Sequence, residues 1–277
     1  MTTTYAPSPR PTFDGPAHIR YADVTRHIWG DAEAGEVADW IYASTGLIHC
    51  LVFGLGPGQA FRHSREFRTI FGADELLHVL EGTMVIANPE TGEVHVAERG
   101  QNVVFGPDTW HHAFAHGGPL RVLELYAPPP SAGTSGAYAR TKPYLEESLY
   151  ADDALLGALP GPAREGSMRL LEPRDMAWRL EGGALVGLLA STDQLTTGLL
   201  RLDAGRSSSE HEHGGDEVLY LTGGQLFVRA WHGDRTYVFE LTPGDACYLP
   251  KGARHEYRNV GGAEAVAVFG VAPAYLP

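Results

Sequence analysis

Cysteine is nearly missing from this chain. Two residues, Cys50 and Cys247, stand among 277, too few for a disulfide framework, so both are expected as buried small apolar side chains. Basic clusters are missing too. With 21 Lys+Arg against 34 Asp+Glu, the formal net charge is −13, which argues against a nucleic-acid or anionic-membrane surface. The longest apolar runs, such as Ala184 to Ala190, are far too short to span a bilayer. The opening stretch, Met-Thr-Thr-Thr-Tyr-Ala-Pro-Ser-Pro-Arg, has no charged region followed by an apolar run. No signal peptide is read there, and a cytoplasmic location is expected. There is no Gly-x-Ser-x-Gly elbow and no P-loop. Gly54-Leu-Gly56-Pro-Gly58 is glycine-rich, but Pro57 and the following loop make it a strand-end turn, not a phosphate cradle. Glycine and proline, by contrast, are plentiful at 34 and 19 residues, in a composition that is 43% hydrophobic and 20% charged. That describes a globular protein of many short strands and turns, long enough for one large or two ordinary domains.

Chemistry concentrates between Gly205 and Asn259. The run Gly205-Arg-Ser-Ser-Ser-Glu-His211-Glu-His213-Gly-Gly-Asp-Glu217 sets two histidines at strand alternation, so that they share a face. Glu217 then opens a new strand. A third histidine, His255, follows 38 positions later, in Gly244-Asp-Ala-Cys-Tyr-Leu-Pro250-Lys-Gly252-Ala-Arg-His255-Glu-Tyr-Arg-Asn259. A single strand histidine is usually only a polar or core residue. Three imidazoles and a carboxylate in register make a mixed N/O donor set. It suits iron(II), manganese, nickel, copper or zinc, whereas calcium or magnesium would want more oxygens.

These residues resemble the cupin superfamily, whose motifs read G(X)5HXH(X)3E(X)6G and G(X)5PXG(X)2H(X)3N. Gly205, His211, His213, Glu217 and Gly224 fill the first without a gap, and Gly244, Pro250, Gly252, His255 and Asn259 fill the second. The resemblance implies a closed β-barrel with a metal held inside by His211, His213, Glu217 and His255. It also implies pairing into a homodimer.

The chain repeats itself. Ala43-Ser-Thr to Gly58 aligns without a gap on Ala190-Ser-Thr to Gly205, Glu75 to Gly82 on Glu217 to Gly224, and Gly100 to Phe105 on Gly244 to Leu249. One β-domain therefore occurs twice, and the fold expected is all-β, with two cupin-type barrels of jelly-roll form in tandem. The boundaries are read as an N-terminal arm (1–41), a first barrel (42–127), a linker (128–177) and a second barrel (178–277). Strands are expected at Leu47 to Leu55, Glu75 to Leu80, Thr83 to Ala87, Val94 to Ala97 and Arg121 to Tyr126. In the second copy they are expected at Leu195 to Leu202, Val218 to Leu221, Gln225 to Trp231, Tyr237 to Leu241 and Ala265 to Phe269. Gly35 to Tyr42 reads as a strand leading into the first barrel. In the linker, Pro143 in a first turn and Gly157 as a stop suggest a short helix over Lys142 to Leu156, wrapped on a barrel because Tyr144, Leu145, Leu149 and Tyr150 need burial.

In the first barrel the motif is degraded. Glu75 takes the glutamate place, and the step from Gly100 to His111 matches that from Gly244 to His255. Counting from Pro107 selects His112 instead. Without a gap, Thr69 and Phe71 fall where His211 and His213 stand. His63, in a longer loop, is the one histidine that can replace them, so the second candidate site is His63, Glu75 and His111, a facial triad. Against it stands a barrel that has lost its metal and only packs. Arg62, Arg65 and Arg68 in the same loop could grip an anion, although a solvated surface run is the simpler account.

Four protein ligands on a six-coordinate metal leave two positions for water, substrate or oxygen. A small molecule with two neighbouring oxygens can chelate there. Iron could relay electrons to oxygen; alternatively the metal polarises the substrate as a Lewis acid, with Glu217 loosening to serve as a base. Alternation turns Leu219, Leu221 and Tyr257 inward, a partly apolar wall in which Tyr257 can orient substrate or donate a proton. The expected function is a metal-dependent enzyme acting on a small organic molecule, first an Fe(II) dioxygenase. The alternatives are a redox-neutral isomerase, cyclase or lyase, and a non-catalytic binding protein.

Overall fold

The computed structural model describes residues 8–129, 142–151 and 166–277. Among them there is no α-helix, and the strands run in chain order as β1 (Ala17–Ile19), β2 (Thr25–Trp29), β3 (Val37–Ser44), β4 (His49–Leu55), β5 (Ala60–Phe61), β6 (Asp74–Ala87), β7 (Val94–Glu98), β8 (Asn102–Phe105) and β9 (His112–Ala127). After the linker come β10 (Met168–Leu171), β11 (Ala177–Glu181), β12 (Ala184–Ser191), β13 (Thr196–Leu202), β14 (Asp216–Gly223), β15 (Leu226–His232), β16 (Arg235–Leu241), β17 (Ala246–Leu249), β18 (Arg254–Arg258) and β19 (Ala265–Ala272). All pairings are antiparallel, as short connections demand.

Two jelly-roll barrels result. The first is a sheet ordered β10-β8-β6-β9-β4-β3-β2, with β5 on β9 and β7 on β6. The second joins a sheet ordered β1-β17-β14-β19-β13-β12-β11 to a three-stranded sheet, β16-β15-β18. Alternation along strands explains the layers. In β16, Tyr237 and Phe239 pack on the core while Val238 between them is 62% exposed. One apolar cluster fills each barrel. A third lies between them, where Ile48, Cys50, Val52, Leu123 and Leu125 meet Leu195, Leu199, Val218 and Val268. Each such side chain fully buried is worth about 1.5–3 kcal/mol. Both cysteines are buried and free.

The segments expected as arm and linker also supply strands. From the arm, β1 pairs with β17 of the second barrel, and from the linker, β10 pairs with β8 of the first. The barrels thus trade one edge strand each.

The expected linker helix is not formed in its described part. Lys142 to Ser148 has no regular structure and Leu149–Ala151 is a single 3-10 turn; residues 152–156 lie outside the described residues. Contacts with the first barrel win over local propensity. Arg68 Nη1 donates to the Lys142 carbonyl (2.6 Å), Lys142 Nζ meets Glu90 (2.8 Å), and Leu149 N donates to Pro89 O (2.8 Å). Leu145 packs on Ile70 and Trp110. Two arginines of the long loop are taken by the same segment: Arg65 pairs with Glu146 and, like Arg68, lies over the Tyr144 ring; Arg62 lies over Phe114 of β9.

Candidate metal centre

His211 and His213 lie on an extended segment ahead of β14, not in a regular strand. That segment is held by a reciprocal backbone pair: His211 N donates to His255 O (2.9 Å) and His255 N to His211 O (2.8 Å). Glu217 is the second residue of β14, and His255 the second of β18. The four residues of the sequence motif therefore meet inside the second barrel. His255, Glu217 and His213 are 1%, 3% and 6% exposed, while His211 is half-buried on the outer side.

The ring orientations are fixed from behind. His211 Nδ1 bonds to Ser209 O (2.8 Å), His255 Nδ1 to Ala253 O (2.8 Å) and His213 Nδ1 to Tyr275 O (2.6 Å). A carbonyl only accepts, so each Nδ1 carries the hydrogen and each Nε2 is left with its lone pair facing inward. The three donor atoms lie within 4.8 Å of one another. Glu217 Oε2 stands 3.1 Å from His255 Nε2 and 3.4 Å from His213 Nε2, yet Glu217 Oε2 and His255 Nε2 make no hydrogen bond. The other carboxylate oxygen, Oε1, accepts from the Tyr257 hydroxyl (2.8 Å). Four donors meeting inside the barrel, three of them buried, with outer hydrogen bonds complete and Glu217 Oε2 and His255 Nε2 unpartnered on the inner side, fit a transition-metal ion.

Electrostatics agree with this placement. Burial pushes Glu217 up, but the adjacent His213 and His255 outweigh it and hold the carboxyl well below its usual range. Burial pulls His213 down, and the Glu217 carboxylate overturns that to leave it raised. His211 is lowered, by burial first and His255 second. Burial, then the Glu217 charge, pushes the Tyr257 hydroxyl well up, so it stays a donor.

The remaining motif residues shape the backbone. Asn259 is fully buried, with Nδ2 donating to Leu202 O (2.8 Å) and Ala263 O (2.7 Å), and it clamps the turn after β18. A neighbour that no motif predicted is Tyr275. Its ring packs on His213 at 4.6 Å and its hydroxyl donates to Glu181 (3.0 Å). The space in front of the donors is about 10 Å³, room for about one water. Its walls include Val186, Leu200, Leu219 and Phe269.

The first barrel is built differently. His111 N donates to Thr69 O (3.2 Å), the counterpart of the His255–His211 pair, so the gap-free register is the structural one, with Thr69 and Phe71 in the places of His211 and His213. His63 does not replace them. Its Nε2 donates to Leu145 O (2.6 Å), and its Nδ1 bonds His112, whose own Nδ1 accepts from Tyr150 Oη (2.7 Å). Both His63 nitrogens are thus engaged on the linker side. The triad of His63, Glu75 and His111 does not assemble, and His112 serves this relay. Among the described residues the one cluster of three or more metal-capable side chains is that of the second barrel.

Residues 198–271 match the cupin domain family. Among solved structures, the chain is similar to a variant of Bacillus subtilis oxalate decarboxylase, with a TM-score of 0.68 at 13% identity, over 97% of this chain and 80% of that one. It is similar to a Lactobacillus farciminis oxalate decarboxylase in complex with formate, with a TM-score of 0.66 at 14% identity, over 96% and 88%. A third similar structure, of the B. subtilis enzyme, is described by its Mn(II) centres (0.65, 14%, 97% and 80%). No curated protein matches the sequence. The family match covers the second barrel, and the likeness to the solved structures, which runs along nearly the whole chain, is one of fold.

Proposed function

We propose that the second barrel is the active centre of a metal-dependent enzyme acting on a small organic molecule that offers oxygen atoms to the metal. The observation that carries this reading is the convergence of His211, His213, His255 and Glu217, with Glu217 Oε2 and His255 Nε2 unpartnered on the inner side. A divalent transition metal bound there would supply Lewis acidity and, as iron, redox chemistry. The chain supplies the rest. The space in front of the donors holds about one water, so a substrate has to displace that water and part the apolar wall to reach the metal. Tyr257 keeps Glu217 pointed inward with its hydrogen bond to Oε1. Both oxygens of Glu217 are then committed, which weighs against its release as a base and against the isomerase reading.

Iron-dependent oxygenation remains the first reading. The likeness to oxalate decarboxylases, one of them described with Mn(II), favours redox-neutral C–C cleavage of a small carboxylate as the second. The first measurement is metal content by elemental analysis of anaerobically purified wild type and a His211→Ala/His213→Ala variant. About one ion per chain in the wild type and none in the double variant is expected, and a wild type that takes up no metal would overturn the proposal. Oxygen uptake by the iron-loaded protein with small hydroxy- and dicarboxylic acids then separates the two readings: uptake supports oxygenation, and release of carbon dioxide without uptake supports the lyase.

A further inference from the structure

Because the space in front of the metal donors holds about one water, part of its wall has to move before a substrate reaches them. Five of the side chains around it are fixed in sheet. Val186 of β12, Leu200 of β13, Leu219 of β14, Tyr257 of β18 and Phe269 of β19 line the space and are at most 4% exposed. Four of these strands are interior to the seven-stranded sheet, with a hydrogen-bonded neighbour on each side. The fifth, β18, is held by β15 and by the His211–His255 backbone pair. Moving any of them would break a sheet ladder. His211, His213 and Glu217 are donors themselves. Two lining residues remain, Glu181 and Tyr275.

Both stand at the rim. Glu181 ends β11, an edge strand paired with β12 alone, and Tyr275 lies in the C-terminal segment after β19, which belongs to no strand. Both are half-buried, and Ala274 and Leu276 on either side of Tyr275 are exposed. The segment rests on the Gly-Gly turn that follows His213: a Cβ on Gly214 would lie 2.5 Å from Leu276 O. The Tyr275 ring covers His213, with centroids 4.6 Å apart. Its hydroxyl is tied across the rim to Glu181 Oε1 (3.0 Å), which Arg179 Nε also meets at 3.0 Å. Glu181 is set in place by Ser209, whose N donates to Glu181 O (3.2 Å) while its O accepts from His211. Burial, then the Glu181 carboxylate, raises the Tyr275 hydroxyl, so it stays a donor.

We propose that Tyr275 is the gate of the metal centre and decides the size of molecule that enters, with Glu181 as its latch. This rests on the reading of that centre given above and adds which part of the protein lets substrate in. Entry requires the hydroxyl to leave Glu181 and the ring to swing off His213 towards solvent, a change of rotamer at one side chain. The Tyr275 carbonyl meanwhile keeps its bond to His213 Nδ1 (2.6 Å), so the gate opens without releasing a metal ligand.

The test uses the full chain loaded with cobalt(II), whose visible bands report an added ligand, and two probes, azide and the bulkier imidazole, mixed by stopped flow. Tyr275→Ala removes the gate but keeps the carbonyl on His213. At unchanged metal content, azide is expected to bind at least about tenfold faster in this variant than in wild type, and imidazole to gain more. Tyr275→Phe keeps the ring and loses the latch, and should quicken azide about fivefold. Unchanged rates would overturn the proposal. So would an equal gain for the two probes, which marks a loosened site and not a sized opening. If Tyr275→Ala does not fold or hold metal, Tyr275→Phe decides alone, by a faster azide rate or an unchanged one. A wild type that takes up no metal would overturn the metal centre itself and the gate with it, whereas bound metal with unchanged rates overturns the gate alone.

Discussion

Each histidine of the metal cluster gives its Nδ1 hydrogen to a backbone carbonyl, and this aims three Nε2 lone pairs at one point before any ion arrives. Tyr257 does the same for the fourth donor, and a Tyr257→Phe variant removes that single hydrogen bond while keeping the ring. Glu217 Oε1 is then left buried without a donor and free to rotate. Metal affinity should fall by about 10–100-fold, measured by competition with a chromophoric chelator; an unchanged affinity would show that packing alone holds Glu217. The ligands themselves were legible in the sequence because their spacing is local: His211, His213 and Glu217 span seven positions, and His255 sits at a fixed step from Gly244. Tyr257 was legible by alternation from His255. Tyr275 was not, because it reaches His213 through the tertiary course of the C-terminal segment. His63 misled for the complementary reason: a histidine in a long loop carries no register, and the loop turns it to the linker.

At the scale of elements, the shared glycine of the repeat marks where the chain bends sharply in each barrel. Gly224 has φ +77° between β14 and β15, and a Cβ there would lie 2.3 Å from Glu264 O. Gly82 repeats this within β6, with φ +82° and a contact of 2.2 Å to Pro119 O. A Gly224→Ala variant should lose about 2 kcal/mol or more, read by urea unfolding. Gly262→Ala, with open space around it, should stay within about 0.5 kcal/mol. The bend also explains one difference from the sequence reading, in which Glu75 to Leu80 and Thr83 to Ala87 were separate strands. A glycine at a bend reads like a turn, but the ladder to β9 resumes past it, so β6 is continuous. The continuous apolar runs of β4 and β13 and the alternating β15 stand within a few residues of where the sequence put them. The three- and four-residue strands β1 and β10 carry too few side chains for a period and exist only through distant partners. The linker helix failed on the same ground, since propensity is a weak prior beside the anchors at Lys142, Leu145 and Leu149.

For the whole molecule, the apolar layer between the barrels matters as much as either interior. Gly270 lets Leu125 and Ile48 approach the backbone of β19 to within 3.1 and 3.2 Å of where a Cβ would be, closer than ordinary contact. Tyr42 donates to Gly244 O (2.6 Å), and Thr45 Oγ1 donates to Asp216 (2.9 Å), so hydrogen bonds cross the same boundary. Losing one barrel would expose this face of the other. The metal-free protein is therefore expected to melt in one calorimetric transition with equal calorimetric and van't Hoff enthalpies. Two resolved transitions would show that the barrels are energetically separate.

The traded edge strands have a consequence in time. The ribosome delivers β1 early, while its partner β17 emerges roughly 230 residues later, a wait of about 10–50 s at ordinary elongation rates. The first barrel waits in turn for β10, from beyond its own last strand, before the edge of β8 is covered. Nascent chains therefore pass through a stage with two unpaired strand edges, and neither half of the gene alone encodes a sheet with its full set of strands.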